Sequence, residues 1–169
     1  MSKHKEEKTN VMRTLEQKKI PYTPHEYPTE GMIDGVSVAQ YLHQNPERLF
    51  KTLVTRGASG GYYVFDIPAA ETLDLKKAAR AVGEKSIAML PQKELLPLTG
   101  YVHGGCSPIG MKKQFPTVLH ETAQLFGTIF VSAGKIGAQV EVDPKLLLSL
   151  VEASTADLIV SEGSDGMTK

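Results

Sequence analysis

The feature that most restricts what this chain can become is a pair of β-rich runs around a glycine break. Phe50-Lys51-Thr52-Leu53-Val54-Thr55 and Tyr62-Tyr63-Val64-Phe65-Asp66-Ile67 are dense in β-branched, aromatic and other apolar residues, and Gly57-Ala58-Ser59-Gly60-Gly61 separates them. Such side chains suit a pleated, half-buried surface and glycine suits the turn, so the spacing predicts a hairpin. A second hairpin is predicted from residues 127–132 and 138–142 around the Gly134–Gly137 turn. Shorter strands are expected at 22–27 and 117–119. Between them stand helix signals: Asn10 before Val11, Met12 and Leu15; Ser37 before Val38, Ala39 and Leu42; Asn45-Pro46; Asp74 before Leu75, Ala78, Ala79 and Val82, stopped by Gly83; and Pro144 before Leu147, Leu148 and Leu150. A shorter helix is expected at 92–96. Helices interrupt groups of adjacent strands without strict alternation, which favours an α+β domain over a doubly wound parallel sheet.

At 169 residues, 41% of them hydrophobic, the chain can build one well-buried core. The expected organisation is a single domain over 10–160, a loose charged lead at 1–9 and a tail at 161–169 too poor in apolar residues to order itself. The lead carries no apolar stretch of the secretory kind, and no run is long enough to cross a bilayer. Cys106 is the only cysteine, so no internal disulfide is possible and a reducing, cytoplasmic setting is expected. The 19 basic and 19 acidic residues cancel. A sequence-independent grip on nucleic acid normally needs a basic surplus, so DNA is not an expected partner and RNA contact must come from a local patch. Candidates are Lys76, Lys77, Arg80 and Lys85; Lys112 and Lys113; and Lys135. Each also reads as ordinary solvated surface.

Several familiar catalytic devices are absent: HExxH, a CxxC pair and a Gly-x-Ser-x-Gly elbow. The five histidines are scattered without ligand spacing, so no metal and no cofactor are expected. Three features remain. Lys51 sits in an apolar strand, where alternation puts Phe50, Thr52 and Val54 on one face and Lys51, Leu53 and Thr55 on the other. It is either an edge lysine reaching for water or a single cation in a pocket. Gly104-Gly105-Cys106-Ser107-Pro108-Ile109-Gly110 is either a tight loop or a backbone cradle for an anion or oxyanion. Cys106 has no identifiable histidine and acid partners, which makes it a small loop residue before a nucleophile. Val131-Ser132-Ala133-Gly134-Lys135-Ile136-Gly137 ends a strand in a flexible turn, with a hydroxyl free to serve either its own loop or a substrate.

Taken in order, these segments resemble the YbaK/EbsC family, relatives of the editing domain inserted in bacterial prolyl-tRNA synthetases. The matching stretches are Asp34-Gly35-Val36-Ser37-Val38-Ala39, Pro46-Glu47-Arg48-Leu49-Phe50-Lys51-Thr52-Leu53-Val54, Leu73-Asp74-Leu75-Lys76-Lys77-Ala78-Ala79, the run from Thr99-Gly100-Tyr101-Val102-His103 through the glycine segment to Lys113, and Phe130 through Gly137. The resemblance implies a mixed six- or seven-stranded, partly barrel-like sheet surrounded by helices. It implies deacylation of mischarged tRNA(Pro), chiefly of cysteine, with Cys-tRNA(Cys) as a further substrate. The cysteine thiol attacks its own carbonyl to leave as a thiolactone. Lys51 falls on the family's catalytic lysine; Tyr27, Thr52, Gly104, Gly105, Ser132 and Gly134 fall on substrate-binding positions. The implied partners are the tRNA acceptor end and prolyl-tRNA synthetase, with no membrane. Three departures touch substrate preference: Gln139 stands where some members carry aspartate, Ile33 where a phenylalanine is usual, and Ala133 precedes Gly134. Two other readings stay open, an Ala-tRNA(Pro) deacylase and a non-catalytic module that binds the acceptor end.

Overall fold

The computed structural model describes residues 8–30 and 34–161. Ile33, the lead up to residue 7 and the tail from 162 lie outside the described residues. Helix α1 (Asn10–Gln17) buries Val11, Met12 and Leu15, and its cap is Thr9, whose hydroxyl accepts from the Met12 amide. Asn10, expected as the cap, is the first helical residue. Two cap-competent residues stand side by side here, and Asn10 is drawn elsewhere: its Nδ2 donates to the Gly110 carbonyl at 3.2 Å. Helix α2 (Gly35–Tyr41) likewise starts before the expected Ser37. Asp34 caps it, its carboxylate accepting from both the amide and the hydroxyl of Ser37 at 2.9 Å. Asn45 caps a single 3-10 turn at Pro46–Arg48, and Asp74 caps α3 (Leu75–Val82), which ends on Gly83 at φ 75°, both as the sequence indicates. The short helix expected at 92–96 is a 3-10 turn at Gln92–Glu94 continuing into α4 (Leu95–Thr99). Helix α5 (Pro144–Leu150) opens at its proline, with Asp143 as cap.

The strands are β1 (Tyr22–Glu26), β2 (Phe50–Gly57), β3 (Tyr62–Pro68), β4 (Ile87–Met89), β5 (Thr117–His120), β6 (Ile129–Ser132), β7 (Ala138–Val142) and β8 (Ser154–Ala156). Both predicted hairpins form, β2–β3 and β6–β7. They seed two sheets of order β1-β7-β6 and β4-β2-β3-β5-β8, in which the β3–β5 and β5–β8 pairings are parallel. Two three-residue strands, β4 and β8, take the count among the described residues to eight rather than six or seven.

A parallel bridge between Leu49 and Phe130 joins the sheets where the chain enters β2. The largest core draws on both sheets, with Val54, Val64 and Leu119 from one and Val131, Val140 and Val142 from the other, closed by Val11, Met12 and Leu15 of α1. At about 2 kcal/mol for each large side chain removed from water, this shared core is what holds the sheets around a common interior. A second cluster packs α3, through Ala78 and Ala79, on Phe65, Ile67, Val118 and Leu158. Lys51 and Thr52 lie at the head of β2, where the two sheets meet.

Candidate active site

Alternation along β2 is strict enough to separate neighbours. Lys51 stands opposite Ile67 and Thr52 opposite Asp66 in the β2–β3 ladder, so the two side chains leave on opposite faces. The Lys51 ammonium is half-buried. It makes no hydrogen bond or ion pair among the described residues. Burial holds it below the usual lysine range, against the raising influence of Glu71 and Asp34. Burial strips this amine of part of its hydration, as expected of a cation that lines a pocket. Two residues behind Lys51 is Leu49, bridged to Phe130, and two residues beyond Phe130 is Ser132. The same step along each chain therefore brings Lys51 and Ser132 to the same end of the junction.

The glycine turn and the glycine loop press together at that end. A Cβ on Gly105 would lie 3.0 Å from the backbone of Lys135 and Ile136, so only glycine permits the contact. Gly134 holds φ at 100°, and its amide donates to Ser132 Oγ at 3.0 Å. That hydroxyl is nearly buried, and its own hydrogen has no acceptor among the described residues. The Tyr27 amide donates to the Gly137 carbonyl at 3.0 Å, and its ring packs with Leu49, Phe130 and Val38. The loop is anchored from beneath, where the Tyr101 hydroxyl donates to the Ile109 carbonyl at 2.5 Å.

Tyr27, Gly104, Gly105, Ser132 and Gly134 are thus brought around one turn. Lys51 arrives through the bridge, and Thr52 lies on the other face of its strand. One expected role is corrected. The Gly105 amide already donates to the Val102 carbonyl at 3.0 Å, closing its own turn. Its contribution to a cradle is close approach, not a free donor.

Asp66 carries no sequence signal of its own beyond the alternation that turns both it and Thr52 inward. It is fully buried, and Thr52 Oγ1 lies 2.5 Å from its Oδ1. Its Oδ2 is buried without a partner among the described residues. Burial, opposed only by the Thr52 bond, pushes this carboxyl up to about 7. Burial and the nearby Asp66 push the Cys106 thiol up to about 12. A thiol so protonated is no nucleophile at neutral pH, which agrees with the sequence reading of Cys106. Gln139, paired with Ser132 in the β6–β7 ladder, also has a buried Oε1 without a partner among the described residues.

Long-range pairing supplied a polar network that no local pattern announced. Glu141 receives Arg48 at 3.0 Å, His25 at 2.9 Å and the Thr128 hydroxyl at 2.5 Å. Arg48 also stacks over the Phe130 ring, 5.1 Å from its centre. Among the candidate basic positions, Lys77 is engaged with Asp157, Ser161 and the Ile159 carbonyl. No group of three or more His, Cys, Asp or Glu side chains among the described residues is arranged to hold a metal ion.

A model of the aminoacyl-tRNA editing domain matches residues 30–150. The chain belongs to the aminoacyl-tRNA editing family. An Enterococcus faecalis relative named "Putative Cys-tRNA(Pro)/Cys-tRNA(Cys) deacylase EbsC" is 49% identical over 164 residues, which is 96% of this chain and 100% of the relative. A solved structure described as a "putative trans-editing enzyme for prolyl tRNA synthetase" superposes with a TM-score of 0.78 at 28% identity, over 90% of this chain and 99% of that one. A scaffold protein used for designed presentation of linear epitopes superposes with a TM-score of 0.80 at 29% identity, over 90% of this chain and 96% of that one. The mixed α+β editing-domain fold is therefore shared along nearly the whole described chain. No helix among the described residues is long and apolar enough to cross a membrane.

Proposed function

We propose that this editing-family protein is a trans-acting aminoacyl-tRNA deacylase that removes cysteine mischarged on tRNA(Pro), with Cys-tRNA(Cys) as a second substrate. The observation that carries the reading is Lys51: a half-buried cation with no ion-pair partner among the described residues, at the junction that also holds Ser132 and both glycine segments. A partly desolvated cation is a strong stabiliser of charge that develops on an ester during cleavage.

The aminoacyl ester is already activated, so positioning and charge stabilisation suffice, and the protein need not supply a nucleophile. The high-lying Cys106 thiol is consistent with that division of labour. The substrate thiol attacks its own carbonyl carbon. The carbon–sulfur bond forms as the bond to the ribose oxygen breaks. The thiol proton passes to the departing ribose oxygen, and a thiolactone leaves. In this scheme Lys51 orients the ester and faces its developing negative charge. Ser132 donates its free hydrogen, Tyr27 lines the site, Thr52 meets the substrate from the opposite face of β2, and Gly104, Gly105 and Gly134 let the acceptor end approach the backbone. Balanced net charge gives little unaided grip on tRNA. Prolyl-tRNA synthetase is accordingly the proposed partner that delivers the acceptor end.

Incubation with labelled Cys-tRNA(Pro) and Ala-tRNA(Pro) tests the assignment. Faster release of cysteine than of alanine is expected. Preferred release of alanine would transfer the reading to an alanine deacylase, and tRNA binding without ester loss would leave a binding module. Tight tRNA binding at physiological salt by the protein alone would remove the need for the synthetase.

A further inference from the structure

We propose that Asp66 is a positioning residue that acts through Thr52 to receive the free α-amino group of the aminoacyl ester, so that the site accepts aminoacyl esters in preference to N-acylated ones. The inference rests on the deacylase reading above and deepens it. Its basis is a polar pair that the fold does not need. Thr52 and Asp66 face each other across the β2–β3 ladder, on the side flanked by Phe50, Val54 and Val64. Asp66 is sealed from water, yet only one of its oxygens is bonded, and its single partner among the described residues is the partly exposed Thr52. A buried carboxyl with an orphan oxygen costs stability, and a leucine of similar volume would serve the core better.

The charged surroundings are equally incomplete. Among the described residues the titratable group that senses Asp66 is Cys106, in the glycine loop; Tyr101, which interacts with Cys106, and Tyr62 pack in the same core, and Cys106 and Tyr101 are neutral at neutral pH. Helix α1 brings Val11, Met12 and Leu15 to this core, and β6 and β7 bring Val131, Val140 and Val142. Lys51 is adjacent in sequence but leaves on the other face and responds to Glu71 and Asp34. No cation among the described residues balances Asp66. A free aminoacyl ester brings one in its ammonium group.

The hydroxyl between them transmits the choice. A hydroxyl has one hydrogen and two lone pairs. When Asp66 is ionised, Thr52 must turn its hydrogen inward, and its lone pairs point outward to accept from the ammonium. When Asp66 is protonated, its own hydrogen fills the short contact. The Thr52 hydrogen is then released outward, where it opposes an ammonium. Burial places the carboxyl close to the point where both states are populated near neutrality.

The test compares Cys-tRNA(Pro) with N-acetyl-Cys-tRNA(Pro) for the wild type, Asp66→Asn and Asp66→Glu, between pH 5.5 and 7.5. Asn keeps the shape and an acceptor for Thr52 but no charge. The expected loss in kcat/KM for the free aminoacyl ester is about 10-fold at pH 7.5, in the range for a hydrogen bond to a charged group. It should fall mainly on KM and shrink toward pH 5.5, where wild-type Asp66 is itself neutral. Turnover of the N-acetyl ester should change little, and Asp66→Glu should recover part of the discrimination. Equal losses on both esters with an unchanged pH profile would overturn the proposal and leave Asp66 a structural residue. A wild type inactive on both esters would instead defeat the deacylase reading.

Discussion

Glu141 and Asp66 are both carboxylates on strands with little access to water, and the protein treats them in opposite ways. Glu141 is gripped by Arg48, His25 and Thr128, with the arginine also stacked on Phe130. Burial opposes its charge, but the bonds from Thr128, His25 and Arg48 outweigh it and hold the carboxyl below the usual range. Asp66 has, among the described residues, one hydroxyl and no cation, and burial wins. The first arrangement ties β1, β6, β7 and the turn before β2 into one body, and nothing in it is left over for a ligand. The second leaves an oxygen and a charge unanswered beneath the glycine loop. A satisfied polar network belongs to structure; an unsatisfied one marks where something else is expected to bind.

The largest effect that breaks the comparison should come from Arg48→Ala. It removes the cation from Glu141, the bond to the Thr128 carbonyl and the stacking on Phe130. A loss of about 3 kcal/mol in stability is expected by denaturant unfolding, because the carboxylate is left half-buried and underpaired. Asp66→Asn should do the reverse. A buried acid whose folded pKa is raised above its unfolded value makes the native state hold the extra proton, so wild-type stability falls as pH rises from about 4 to about 7 and levels above. The Asn variant lacks that fall and should be more stable by about 3 kcal/mol at pH 8, and close to the wild type at pH 4, by thermal unfolding across pH.

Thr52→Val sharpens the point with a smaller effect. It deletes the one bond that lowers the Asp66 pKa, so the carboxyl should titrate higher, as read from its carbon chemical shift. Stability near neutrality should change by about 1 kcal/mol. The smallest effect belongs to Cys106→Ala, for which deacylation should stay within about 2-fold of the wild type, since a thiol held at about 12 is not ionised at neutral pH.

The fold was legible where the signal is local. Both glycine-broken β runs paired as their alternation required, and Asn45, Asp74 and Pro144 marked helix starts because capping uses residues two or three positions apart. Asn10 and Ser37 misled for the same reason: Thr9 and Asp34 are competing caps within that reach, and only the tertiary bond from Asn10 to Gly110 decides the first case. Strands β4 and β8 carried no pattern, being three residues long and held by β2 and β5 rather than by their own periodicity. In the site, the glycine segments and Lys51 stood out because each is unusual in place. The role of Gly105 as close contact instead of amide donor depends on Val102 and on the turn some thirty residues away, which the sequence does not reveal. Asp66 is hidden by its setting, a polar residue in an apolar strand, and its partner Thr52 stands out only through the family resemblance.

The proposed chemistry turns on one partly dehydrated cation, Lys51, at the junction of two sheets. Single-turnover deacylation of Cys-tRNA(Pro) by Lys51→Ala, with unfolding measured on the same sample, tests it most directly. A rate lower by about 10²-fold or more, as for the loss of one transition-state donor, in a protein at least as stable as the wild type is the predicted result. An unchanged rate in a folded variant would contradict it.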